Sequence, residues 1–168
     1  MLDPIEIGIF TTLGVAFAAG LLFLALWGKQ NPLRVSAYAL IAVACLYVGF
    51  AFRSTDPNSW VAIEMTGVAI FGSLAYMSII FSPWFLVVGL ALHPLWAIVF
   101  HYNGSGAVFT PAPLALANAG FDVALALYAV YAILQRAKTK ARAGIAQDNR
   151  AQDNRARDNR KPKRGKAQ

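Results

Sequence analysis

The stretch DPIEIGIFTTLGVAFAAGLLFLALW, residues 3–27, decides the fold. After its Asp-Pro pair, residues 5–27 carry one charged side chain, Glu6, among apolar, glycine and threonine residues. About 20 such residues suffice for a helix to cross the roughly 30 Å hydrocarbon layer of a bilayer. Four more runs of this kind follow, at 33–52, 58–81, 84–101 and 112–134. The sequence therefore predicts an all-α fold: an integral membrane bundle of five transmembrane helices over residues 1–134, with a disordered basic C-terminal tail over 135–168.

The run boundaries have their own punctuation. Five of the eight prolines follow a capping-type residue: Asp3-Pro4, Asn31-Pro32, Asp56-Pro57, Ser82-Pro83 and Thr110-Pro111. Proline suits the first helical position because no partner exists there for an N–H, and the preceding side chain can accept from the exposed amides. Asp3 with Glu6 also reads as a capping box. Span one has an N-terminal region with Asp3 and Glu6 and no basic side chain, and a long apolar stretch, unlike a cleavable signal peptide, so it is expected to stay in the mature chain.

Composition agrees. The 168 residues are 58% apolar and 14% charged, with a mean hydropathy of +0.51. A soluble domain carries about 25% charged residues, and a chain of this size cannot hide so much apolar surface from water. The net charge of +7 is misleading, because residues 135–168 hold 12 basic and 3 acidic side chains. The remainder is slightly acidic, so no nucleic-acid partner is expected.

Lysine and arginine in short loops set orientation. Lys29 and Arg34 lie in loop one and twelve more basic residues in the tail, whereas loop two has only Arg53 and loop four, 102–109, has none. Five spans place the basic segments on one side. The expectation is a multi-pass inner-membrane protein with its N-terminus outside and its tail in the cytoplasm. Trp27, Trp60, Trp84 and Tyr102 fall near span ends, as in an interfacial aromatic belt. Ala16 with Gly20, and Gly67 with Phe71 and Ala75, suggest close helix packing. Cys45, the single cysteine, reads as a small core residue.

The tail contains the pentads AQDNR, AQDNR and ARDNR over 146–160. A period of five builds no apolar face, so disorder is expected beyond Ala143-Gly144. Arg136, Lys138, Lys140 and Arg142 follow span five directly and are expected to contact anionic lipid headgroups. The run Lys161-Pro162-Lys163-Arg164-Gly165-Lys166 looks like a nuclear-import or nucleic-acid patch, a role that fits poorly with a membrane protein.

Ionisable groups at membrane depth are costly and mark sites by default. Glu64, His93, His101 and Asp122 fall in one half of the membrane. From the rise per residue, His93 and Asp122 share a depth, and Glu64 lies nearer the level of His101. Asn118 is one helical turn from Asp122 on the same face. Pro94 should bend span four and bring His93 and His101 closer to one face. Two histidines and two carboxylates suit a divalent metal such as Zn, non-haem Fe or Mn, with His93, His101 and Asp122 as ligands. They equally suit acid–base work, with Glu64 as the catalytic candidate, or polar contacts that organise the bundle. No H-E-x-x-H, cysteine pair or glycine-rich phosphate loop is present.

The segment Gly89-Leu90-Ala91-Leu92-His93-Pro94-Leu95-Trp96, followed by His101, a proline-bearing loop and Gly120-Phe121-Asp122, resembles a domain-of-unknown-function family of small bacterial multi-span membrane proteins with a G-W-x-L-H-x-x-W-D-x-x-x-H-like pattern. The match covers spans three to five, about half of the chain. It departs from the pattern at Leu90, where tryptophan is usual, and at Ala97, where an acid is usual. The resemblance implies a membrane protein and no established activity, and adds Trp96 to the candidate ligand-binding set of Glu64, His93, His101, Asn118 and Asp122. Three functions follow as expectations: a small membrane protein whose cluster organises the bundle or binds a small ligand or ion, a metal-dependent enzyme acting on a lipid-like substrate, or an accessory subunit bound to a membrane-protein partner or to its own copies.

Overall fold

The structure, a computed structural model, describes residues 2–160. Its helices are α1 (Pro4–Trp27), α2 (Pro32–Ala51), α3 (Pro57–Ile80), α4 (Trp84–Trp96) and α5 (Ala112–Arg160). A π-helical turn, Ala97–Tyr102, extends α4, and a 3₁₀ turn, Ser105–Val108, lies before α5. All five helical segments are long and apolar enough to cross a membrane. This is the five-helix, all-α fold expected from the apolar runs.

The caps explain the starts. Glu6 N–H donates to Asp3 Oδ1 at 2.7 Å and Asp3 N–H to Glu6 Oε2 at 3.0 Å, closing the capping box. Asn31 accepts from Leu33 N–H and Asp56 from Ser59 N–H. Two sequence expectations fail at this level. No side chain caps α4, because Pro83 itself occupies the N-cap position. Thr110 is turned toward His101 instead of serving the first turn of α5.

Asp56 lies in a loop, and its hydrogen bonds with Ser59 hold its carboxyl below the usual carboxylate value. A lowered folded-state pKa means the cap contributes above the unfolded carboxylate pKa and is lost as pH falls through the folded one. Amide exchange at Ser59 is therefore expected to speed up, relative to the middle of α3, as pH drops below the carboxylate range. Identical pH profiles at both places would remove the cap from the account.

The buried seams follow helical spacing. In α2 they run Leu33, Ser36, Ala37, Leu40, Ala44, Tyr47 and Ala51; in α3, Glu64, Gly67, Phe71 and Ala75; in α4, Leu86, Gly89, Leu90, His93 and Pro94. Outward faces are apolar too: Ile5, Phe17, Phe81 and Leu127 are each more than 60% exposed. A soluble bundle would carry polar side chains there, whereas lipid accepts these.

The chain divides into two compact units, 1–132 and 133–168. In the first, the close approach of α1 to α5 rests on Gly14 and Gly120. A Cβ on Gly14 would collide with the Ala117 carbonyl, and one on Gly120 with the Thr11 carbonyl. The expected packing pair, Ala16 and Gly20, is instead exposed, and nothing lies near Gly20. Gly120→Val should thus separate two backbones and cost about 1–3 kcal/mol or more. Gly20→Ala should stay within about 0.5 kcal/mol. Unfolding in mixed detergent reads both, and equal effects would contradict this packing. Cys45 is exposed on α2, so it faces outward and is not the core residue its apolar surroundings suggest.

In the second unit, the helix that forms span five continues past residue 134, as α5, to Arg160. Local propensity carries the extension. Alanine, glutamine, arginine and lysine are good helix formers, and positions 134–147 are exposed. Thr139 Oγ1 donates to the Gln135 carbonyl at 3.0 Å. Arg136, Lys138, Lys140 and Arg142 are all exposed. The basic run 161–166 lies outside the described residues.

Candidate functional site

Of the sequence candidates in the first unit, Glu64, His93, His101, Asn118 and Asp122 are buried and Trp96 is half-buried. Glu64 stands seven residues into α3 and Tyr47 four residues before the end of α2. Asn118 and Asp122 occupy the second and third turns of α5. Glu64, His93, His101 and Asp122 are each at most 2% exposed.

The π turn places the second histidine. Eight residues of regular α-helix would leave His101 about 80° away from His93 around the axis. Pro94 has no N–H and disrupts the ladder, and the next turn widens, with Asn103 N–H donating to the Ile98 carbonyl five residues back at 2.9 Å. One wide turn absorbs one extra residue, so the eight steps count as about seven and the offset falls to about 20°. The expected bend thus takes the form of a wide turn that aligns both rings with the same partners.

The polar groups pair two by two. His93 Nδ1 lies 2.6 Å from Asp122 Oδ2. Two lone pairs cannot approach so closely, so a proton sits between them and the imidazole is fixed in orientation. His101 Nε2 lies 3.2 Å from Glu64 Oε1, within ion-pair distance but without hydrogen-bond alignment. Trp96 Nε1–H donates to Glu64 Oε2 at 3.4 Å. Trp96 reaches it because Gly67, one turn beyond Glu64, leaves room for the indole: a Cβ there would lie 3.2 Å from the ring. Thr110 Oγ1 lies 3.2 Å from His101 Nδ1.

Tyr47 joins the two halves, and sequence reading missed it. Its ring stacks on His101, with centroids 4.3 Å apart and planes 17° apart, and lies 5.9 Å from His93. Asn118 Nδ2–H donates to the Tyr47 hydroxyl at 3.0 Å. Phe71 meets His93 edge-on at 4.7 Å. Thr110 was missed as a partner too. Loop four closes over His101, with Gly106 so near that a Cβ would lie 2.7 Å from Nδ1.

Pairing is incomplete within this cluster. Among the described residues, Glu64 Oε1, His93 Nε2, His101 Nε2 and Asp122 Oδ1 are buried without a hydrogen-bond partner. A void of about 140 Å³ bounded by Tyr47, Glu64, His93 and Trp96 is too thin for a water molecule. The metal expectation meets a direct geometric test here. Among the described residues, no three His, Cys, Asp or Glu side chains converge as a metal site. His93 with Asp122 and His101 with Glu64 are separate pairs, so the expected ligand set of His93, His101 and Asp122 does not assemble.

No protein-family model matches the chain, and no curated protein or solved structure matches it.

Proposed function

We propose that this chain is a multi-span membrane protein that binds a small polar group, either an ion or the head of an amphiphile, at the buried cluster of Glu64, His93, His101 and Asp122. The observation that carries this reading is incomplete pairing: His93 Nε2 and Asp122 Oδ1 are buried without a hydrogen-bond partner, and His101 Nε2 and Glu64 Oε1 face each other at 3.2 Å without hydrogen-bond geometry. A polar cluster that served only to hold helices together would be fully satisfied, because each unpaired buried group costs about 1–3 kcal/mol. Asp122 holds His93 by Nδ1 and leaves Nε2 to act on a guest, the arrangement by which a carboxylate orients a general base or a ligand-binding imidazole. Trp96 and Asn118 position Glu64 and Tyr47 around it.

The topology belongs to the same proposal. Lys29, Arg34 and the tail put the cluster in the outer half of an inner membrane, with Arg136, Lys138, Lys140 and Arg142 against anionic headgroups on the cytoplasmic side. A periplasm-dependent phosphatase fused to the C-terminus should stay in the cytoplasm and be inactive, and periplasmic activity would reverse the orientation.

The binding reading is tested by ring ¹⁵N NMR of His93 and His101 in nanodiscs. Spectra in pure phosphatidylcholine are compared with those in a total membrane-lipid extract and in K⁺, ammonium, Mg²⁺ and Zn²⁺ salts. At least one addition is expected to move both rings, and Glu64→Gln should abolish the response at His101. Rings that respond to nothing would reduce the cluster to a structural contact.

A further inference from the structure

The space within the cluster is too thin for a water molecule, and a roomier groove adjoins it. Between α1, α2 and α5 lies an apolar groove of about 660 Å³, within the roughly 300–1,000 Å³ range of small-molecule sites. Small residues create it: Gly14, Ala16 and Gly20 on α1 face Ala39 and Ala42 on α2. Its wall on α5 includes Asn118, the residue bonded to the Tyr47 hydroxyl. Groove and cluster therefore share one hydrogen-bonded link.

We infer that this groove admits a single-chain lipid with an uncharged hydrogen-bonding head from the side, and that Asn118 receives the head and relays its presence to the cluster through the bond to Tyr47. This rests on the ligand-site reading and gives its guest a chemical class. Three observations select that occupant. The groove lies between membrane-length helices and is walled by exposed residues such as Phe17 and Leu24, so hydrocarbon is what reaches it. No lining residue is charged, so a phosphate or carboxylate head would lose its hydration without compensation. Asn118 lies about 9 Å along α5 from Ala112, below the depth of a phospholipid head and within reach of a hydroxyl or carbonyl at the end of one chain. Asn118 carries two N–H donors and a carbonyl, and the bond to Tyr47 takes one donor.

The test uses the full chain in phosphatidylcholine nanodiscs. The probe is hexadecanol with a diazirine on its chain, and the comparison is phosphatidylcholine carrying the same diazirine. The alcohol is expected to label Gly14–Leu24 and Leu114–Phe121 about tenfold more than the outward positions Ile5 and Leu127. Filling the groove with Ala16→Phe and Gly20→Phe, at positions open enough to accept a ring without touching the cluster, should remove that enrichment while melting and helix content hold. Asn118→Leu should remove the preference for the alcohol over the phosphatidylcholine probe. Even labelling, enrichment that survives the filled groove, or equal enrichment of both probes would overturn the inference. Histidine ring shifts that answer an ion while labelling stays even would overturn it alone and leave the cluster reading standing. Groove labelling with rings silent to the alcohol would overturn the link from Asn118 to the cluster, and the cluster reading would then rest on the ion and lipid-extract spectra.

Discussion

Asp122→Ala is expected to destabilise the bundle by about 3–5 kcal/mol, because it leaves His93 buried without the partner that holds it. The carboxylate is fully buried and 2.6 Å from His93 Nδ1. Removing one member of such a pair strands the other, and the Asp122→Ala cavity adds to that cost. Replacing both, as His93→Leu with Asp122→Leu, should cost clearly less than the two single changes together, with a coupling of about 2–3 kcal/mol. Glu64→Gln keeps the size and keeps an oxygen for Trp96 Nε1, so it should cost far less than Asp122→Ala. Reversible unfolding in mixed detergent micelles reads all five variants. Additive costs for His93 and Asp122 would mean that the pair does not exist in the folded protein.

Tyr47→Ala comes second in size, at about 3–5 kcal/mol, the range for emptying a buried aromatic site. Tyr47 is 0% exposed and its ring contacts both histidines. Its loss would remove the stacking surface of His101 and strand the Asn118 amide. Tyr47→Phe separates the two effects. It keeps the ring and loses only the bond from Asn118, so it should cost about 0.6–1.5 kcal/mol. If Phe and Ala at this position cost the same, the hydroxyl rather than the ring would hold the site, contrary to the stacked geometry.

Much of this architecture is legible in the chain. The Asp-Pro and Asn-Pro pairs mark helix starts that the structure places at Pro4, Pro32 and Pro57, because a fixed φ and a capping oxygen act locally. The depth of each ionisable group is also local information, a count of residues from a helix end. It sets His93 at the depth of Asp122 and Glu64 near the level of His101, and the structure pairs each two. What a count of residues could not show is which side of each helix faces inward. Hydrophobic periodicity is nearly silent in a bundle that is apolar outside as well as inside. Tyr47 therefore read like any aromatic residue near a membrane surface, although its partner Asn118 lies 71 residues away. For the same reason Cys45 reads as a core residue, and Ala16 with Gly20 reads as a contact that Gly14 and Gly120 make. The π turn was legible only as a consequence of Pro94; the widening that aligns His101 depends on Tyr47, Glu64 and loop four being there to receive it.

The central claim is that α4 and α5 are joined at membrane depth by His93 and Asp122. Solid-state NMR on the full chain in bilayers, with ¹⁵N in the histidine rings and ¹³C in the aspartate carboxyls, tests it most directly. A strong ¹⁵N–¹³C coupling between His93 Nδ1 and the Asp122 carboxyl is expected, as an N···O separation of 2.6 Å requires, and it should vanish in Asp122→Asn-labelled protein. A His93 ring uncoupled from every aspartate carboxyl in the wild-type protein would contradict the account at its base.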